Sequence, residues 1–202
     1  MSFFEELDAV RARWNVLNHP FYTRWSQGTL TRAELAYYSG QYRHAVVALA
    51  AAARNAADAE PALAAHAAEE ASHVALWDDF VAAVGGDSDA PAAPETAACA
   101  GAWAKDGDLL ETLVGIYAIE AAQPAISATK ATGLRERYGV DAPAATAYFD
   151  LHERLDVEHA AQGRAFIERH LDGADREALA ARAEEVLKAN WELLDGVERI
   201  AG

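Results

Sequence analysis

The stretch YFDLHERLDVEHAAQGRAF, residues 148–166, decides how this chain is read. It has no two-residue alternation, and its apolar positions recur at helical spacing, so it belongs to a long helix. His152, Asp156 and His159 stand at i, i+4 and i+7 on that helix. At ~100° per residue their side chains fall within about 60° of one another on the cylinder. Two imidazoles and a carboxylate on one stripe form a metal-ligand array, and that donor mixture suits Fe, Mn or Zn, with the carboxylate favouring a harder, redox-active ion. Phe149 and Phe166 share the stripe. The array therefore points inward, where unpaired charge is costly, rather than decorating a solvated face.

Working outward, the rest of the chain is also helical, and no segment shows the β-branched enrichment of a strand. A first helix is expected over roughly 3–17, ending before His19-Pro20, because the residue ahead of proline disfavours helical geometry. Thr31 with Glu34 forms a capping box for a second helix reaching Ala57. Pro61 opens a third, which runs to Gly85-Gly86, and a loop over 87–94 leads to a short fourth ending near Lys105. Asp108 with Glu111 starts a fifth that carries Glu120 and meets Pro124, where the lost backbone hydrogen bond should kink it. Asp141 and Pro143 begin a sixth, and a seventh fills 175–200. The expectation is an all-α, seven-helix bundle forming a single domain over 1–202.

Composition narrows the function classes. A net charge of −15 argues against nucleic-acid or anionic-membrane partners, which need basic patches. One cysteine, Cys99, gives no internal disulfide and no Cys–Cys metal or redox motif, so a cytoplasmic home is the default. The N-terminal MSFFEELDAVRARW is charged and amphipathic, unlike a signal peptide, and no stretch approaches ~20 uninterrupted apolar residues.

Two further segments extend the array. Glu70 and His73 stand at i and i+3 in the third helix, with Leu63, Val74, Trp77 and Val81 on their face. Glu120 sits among Leu113, Ile116, Tyr117 and Pro124, where a carboxylate needs a metal, a tyrosine or an arginine. A Glu-x-x-His pair facing a His/Asp/His helix is how helical bundles hold two metals. The candidate ligands are Glu70, His73, Glu120, His152, Asp156 and His159. Glu69, at i+4 from His73, competes with Glu70, and His66, one turn away, reads as an outer donor.

The order of these ligands resembles the haem-oxygenase-like dimetal oxidases, and within them the family of the chlamydial death-domain-associating protein CADD, whose members are para-aminobenzoate synthases. The wider superfamily includes the TenA-like and PqqC-like proteins. The matching blocks are HPFYTRWSQGTLTRAELAYYSGQY at 19–42, EEASHVALWDDFVAAVG at 69–85, YAIEAAQPAISATK at 117–130 and YFDLHERLDVEHA at 148–160.

The resemblance implies a haem-oxygenase-like fold, an Fe/Fe or Mn/Fe pair, O2 as co-substrate and a role in folate biosynthesis. It also implies that the aminobenzoate ring comes from one of the enzyme's own tyrosines and the amine from a lysine. Tyr22 occupies the sacrificed-tyrosine position, Lys130 the lysine position, and Tyr38 matches another family tyrosine. Lys130 lies ten residues beyond Glu120, about 15 Å along a straight helix, so its approach to the ions depends on a bend at Pro124.

The chain departs from the family pattern in two places. Only Ala71-Ser72 separate Glu70 from His73 where the family has several more residues, and Ile119 stands where a tyrosine precedes the glutamate. Two other readings stay open: a diiron oxidase or oxygenase acting on an external small molecule, and a metal-free TenA/PqqC-like enzyme of cofactor metabolism. A homodimer through helix faces is the expected assembly.

Overall fold

A computed structural model describes residues 2–201 and shows helices joined by short turns. The helices are α1 (Phe3–Arg13), α2 (Pro20–Gln27), α3 (Arg32–Ala59), α4 (Ala64–Val84), α5 (Pro94–Trp103), α6 (Leu109–Glu120), α7 (Gln123–Arg137), α8 (Pro143–His170) and α9 (Arg176–Ala201). Among the described residues no strand occurs, so the all-α expectation holds.

The seven expected helices become nine because the stretch between the first two carries a helix of its own and the fifth is broken in two. His19 caps α2 by accepting from the Phe21 amide, and Pro20 takes the first helical position, so the His19-Pro20 pair starts a helix as well as ending the region before it. At the other break, Glu120 ends α6, Ala121-Ala122 turn the chain, and Pro124 enters the first turn of α7. Proline's missing N–H costs nothing in a first turn. The expected kink is therefore a complete restart. Leu109–Arg137 together have the length and mean hydropathy of a membrane span, but this stretch is broken and mostly buried inside the bundle.

The Thr31 capping box is formed: the Thr31 hydroxyl accepts from the Glu34 amide and the Glu34 carboxylate accepts from the Thr31 amide. Its 28-residue helix packs along α4, and α4 packs along α8, which also contacts α6 and α7. On α4 the buried side chains are Glu70, His73, Trp77, Phe80 and Val81, a stripe that is ligating at one end and aromatic at the other. On α8 the order along the chain is reversed, from Tyr148 and Phe149 to His152, Asp156 and His159. Antiparallel packing of these two helices brings polar half against polar half and aromatic half against aromatic half. One continuous apolar core, from Phe3 to Val197, surrounds both.

Candidate metal centre

Helices α4, α6 and α8 converge on the polar half of this seam. Two groups of donor atoms gather there, each within 4.8 Å of one another: His66, Glu70, Glu120 and His159, and Glu70, His73 and His152. Glu70 belongs to both. Asp156 lies between them, fully buried, with Oδ1 3.6 Å from His159 Nδ1. All six residues singled out from the sequence thus meet in one pocket.

Glu69 and Glu70, both open as ligands in the sequence, differ in direction. Glu70 is buried, with Oε1 3.1 Å from His73 Nδ1, whereas the Glu69 side chain is half exposed and reaches His159 Nε2 from outside at 3.1 Å. His66 is closer to the centre than an outer donor need be: its Nε2 lies 2.7 Å from Glu120 Oε1 and 3.9 Å from Glu70 Oε1. It is the seventh member of the cluster.

The donor set fits a pair of cations. Glu70 Oε1, His73 Nδ1, His152 Nε2, both Asp156 carboxylate oxygens and His159 Nδ1 are buried without a hydrogen-bond partner. Such a concentration of buried polar atoms is what cations would satisfy, since unpaired buried groups cost ~1–3 kcal/mol each. His152 Nδ1 donates to the Tyr148 carbonyl at 2.6 Å, which fixes the tautomer and leaves the Nε2 lone pair facing the pocket. Three carboxylates, Glu70, Glu120 and Asp156, would largely neutralise two divalent ions.

Comparison with known proteins agrees. The family model described as iron-containing redox enzyme, of the haem-oxygenase type, matches residues 34–191. The chain belongs to this family. Among its curated relatives is a 4-aminobenzoate synthase of Chlamydia muridarum, 31% identical and covering 96% of this chain and 89% of the relative. Others are the 4-aminobenzoate synthases of Chlamydia trachomatis, 32% identical with 96% and 91% covered, and Nitrosomonas europaea, 29% identical with 97% and 91% covered. A TenA homologue from Pseudomonas syringae superposes with a TM-score of 0.83 at 16% identity over 98% of this chain and 91% of that one. A haem-oxygenase-like domain from Shewanella denitrificans gives 0.79 at 18% identity, covering 99% and 93%. These two structures establish the fold, which is haem-oxygenase-like.

Electrostatics in this member of the family follow from burial. Desolvation pushes the Asp156 carboxyl up to about 7 and the His152 imidazole down to about 4. Asp156, with Glu120 and Glu69, holds the His159 imidazolium up to about 9. Burial also raises Glu120; for Glu70 burial is outweighed by His73 and the neighbouring imidazoles, and its pKa falls. Protons therefore do part of the neutralising that cations would do.

Beyond the cluster, the aromatic half of the seam holds Lys130. Its Nζ lies 4.4 Å from the Tyr42 ring centre, 5.1 Å from Trp77, 5.4 Å from Tyr38 and from Phe149, and 5.8 Å from Tyr22. The break after Glu120 is what lets α7 aim this lysine inward. Every one of these groups is essentially inaccessible to solvent. Tyr148 joins the two halves: its ring stacks on His152 at 3.9 Å and meets Trp77 edge-on at 4.9 Å. Tyr42 and Tyr148 were not among the candidates from sequence, although Tyr42 is i+4 from Tyr38 and Tyr148 is i−4 from His152. On the opposite side of the cluster a cavity of about 260 Å³ reaches His66, Glu120 and His159 between walls of Leu113, Tyr117 and Phe166.

Proposed function

We propose that this chain is a dimetal, O2-dependent oxidase that makes 4-aminobenzoate from its own Tyr22 and Lys130. The observation that carries the reading is the sealed compartment in which the Lys130 amine faces Tyr22, Tyr38 and Tyr42, one aromatic layer away from the ligand cluster. Bound iron, or iron with manganese, would supply one-electron oxidation of a phenol by O2, held by Glu70, His73, Glu120, His152, Asp156 and His159.

The chain's own residues account for the rest. A tyrosine ring carries oxygen para to its Cβ, and the product carries nitrogen para to its carboxyl carbon, so an amine must meet the ring within a water-free pocket. Burial lowers the Lys130 pKa well below its usual value, so the amine presents a lone pair. Burial likewise keeps the Tyr22, Tyr38 and Tyr148 hydroxyls protonated, so each loses its proton only when it loses an electron. The packed rings exclude water, which would compete with the amine.

The metal-free, thiaminase-type alternative finds no nucleophile: Cys99 is buried and burial pushes its thiol up, away from the reactive thiolate. The external-substrate reading is favoured by one observation, the cavity on the far side of the cluster. The two oxidase readings separate in one experiment. Protein loaded with iron, or with iron and manganese, is given reductant and O2, and aminobenzoate is assayed together with the mass of the peptide containing Tyr22. Product with a matching mass change at Tyr22 supports the internal route. An unchanged peptide and no product refute it, and substrate-dependent O2 uptake that survives Tyr22→Phe supports the external one.

A further inference from the structure

We infer that His66 is a direct ligand of one of the two ions, so that this chain builds its centre from four histidines arranged with approximate twofold symmetry. The inference rests on the dimetal reading above and deepens it.

The argument starts from spacing. His66, Glu70 and His73 on α4 stand at i, i+4 and i+7, and His152, Asp156 and His159 on α8 repeat the same His-x-x-x-acid-x-x-His pattern. Two copies of one pattern on antiparallel helices must pair head to tail. They do: the His66 and His159 rings lie 4.5 Å apart, the His73 and His152 rings also 4.5 Å apart, and the two carboxylates Glu70 and Asp156 occupy the middle. The near-twofold axis runs between the carboxylates and exchanges His66 with His152 and His73 with His159, carrying one histidine pair onto the other. Because His152 belongs to the proposed ligand set, its symmetry partner His66 is placed to serve in the same way, as His73 and His159 are to each other.

The second observation is the packing around Glu120. This carboxylate comes from α6, outside the repeated pattern, and its Oε1 lies 2.7 Å from His66 Nε2 and 4.0 Å from His159 Nδ1. Two metal–ligand bonds of ~2.1 Å span up to about 4.2 Å, and both distances fall within it, so an ion on Glu120 would be placed to take His66 and His159 as well. His73 and His152 are left for the other ion, with Glu70 in reach of both groups. The first of these sites borders the cavity and the second is enclosed. The short Ala71-Ser72 spacer permits this arrangement, since it keeps Glu70, His73 and His66 on one uninterrupted helical stripe.

A purely outer role for His66, donating a hydrogen bond to Glu120, makes opposite predictions for two substitutions. His66→Gln keeps an N–H donor toward Glu120 and ligates poorly. His66→Glu supplies a ligand, but without a metal it sets a fourth acid beside Glu120. Apoprotein is titrated with Co2+ under anaerobic conditions, reading stoichiometry by calorimetry and the cobalt absorption bands. The wild type should bind two equivalents. His66→Gln should keep one equivalent and bind the second at least about 100-fold more weakly, a larger loss than outer partners usually cause. His66→Glu should bind two. His66→Ala should regain the second equivalent when imidazole is added, because the cavity gives it a path to the ion, and the 15N-labelled base should appear in the pulsed-EPR spectrum of the Mn2+-loaded variant. The equivalent retained at the enclosed site reports that each variant is folded.

Two equivalents at near wild-type affinity in His66→Gln, with loss in His66→Glu, would overturn the ligand assignment while leaving the dimetal centre standing. Fewer than two equivalents in the wild type would overturn both. Loss of both equivalents in a variant whose helical circular dichroism is unchanged would also overturn the assignment, since the enclosed site should not need His66.

Discussion

Replacing Lys130 by methionine tests the sealed compartment most directly, and it can be done without any metal. Two effects compete at this side chain. Five aromatic rings surround the amine at 4.4 to 5.8 Å, and a desolvated cation over such rings gains ~2 kcal/mol or somewhat more. Against that, removing an ammonium from water costs several kcal/mol in a real protein, and no carboxylate partners this one among the described residues. Desolvation is the larger effect and lowers the Lys130 pKa well below its ordinary value. Methionine has a similar length and no polar head, so Lys130→Met should stabilise the metal-free protein at neutral pH by roughly 1–3 kcal/mol.

The pH dependence provides the sharper sign. A lysine in the unfolded chain titrates near 10.4, so between that pH and its lowered folded value the unfolded state carries one more proton than the folded state. Stability of the wild type therefore rises with pH across this window by up to about 1.4 kcal/mol per unit, and the variant lacks this contribution. Other groups also titrate, His159 among them, but they are common to both proteins and cancel in the difference. The variant's advantage should shrink as pH rises from 7 to 9, by up to about 1.4 kcal/mol for each unit lying above the lowered folded value. Urea denaturation of the two apoproteins at pH 7, 8 and 9 measures it. A variant less stable than wild type, with a pH-independent difference, would mean that the lysine is charged and held by the rings, and the nucleophilic amine would be lost from the proposal.

Other outcomes follow from the packing and the charges. Trp77→Ala removes a fully buried indole whose Nε1 donates to the Ser39 carbonyl at 2.8 Å, and should cost ~3–5 kcal/mol in a chemical melt. Gly133→Ala places a methyl group where the Trp25 indole packs against α7, and should cost ~1–3 kcal/mol by the same measurement, with no loss expected if α7 is free to shift. Thr31→Ala breaks the box at the start of α3 and should cost ~1 kcal/mol. Metal uptake should release protons and strengthen as pH rises from 6 toward 9, because Asp156 and His159 hold protons up to about 7 and about 9. Calorimetry in buffers of different ionisation enthalpy reads that proton count, and equal heats across buffers would contradict it.

Much of the centre was legible because ligands on helices obey a fixed period. The i, i+4, i+7 spacing on α8 and the apolar neighbours of Glu70 and Glu120 were enough to bring side chains from α4, α6 and α8 to one seam. The same spacing recurs on α4 as His66, Glu70 and His73, and it is legible in the sequence. The helix breaks were harder. Pro20 and Pro124 signal a discontinuity, but proline marks the start of a helix as readily as the end of one, and only the surrounding caps decide which. Lys130 illustrates the consequence. Along an unbroken helix it lay too far from Glu120, whereas the turn at Ala121-Ala122 resets the direction of α7 and carries it to the aromatic half of the seam. The roles of Tyr42 and Tyr148 depend on which helices face each other, and no local pattern encodes that.

The two sides of the centre differ in a way that bears on what each is for. Toward Lys130 the seam is closed by Trp77, Phe80, Tyr148 and Phe149, each at most 2% exposed, so neither water nor a diffusing substrate reaches the amine. Toward His66 the cavity opens, and Gln162 and Arg169 stand among its lining residues. Chemistry that consumes protein side chains needs the first environment, since a radical or an electrophilic ring would be quenched by solvent. Delivery of O2 and electrons needs the second. An enzyme oxidising an external molecule would need its substrate, too, on the open side, and the buried tyrosines and unpaired lysine on the other side would then be a cost to stability with no return. The retention of an unpaired amine inside a sealed aromatic shell is therefore the physical reason to prefer the internal route, and it makes the Lys130→Met comparison a test of function as much as of folding.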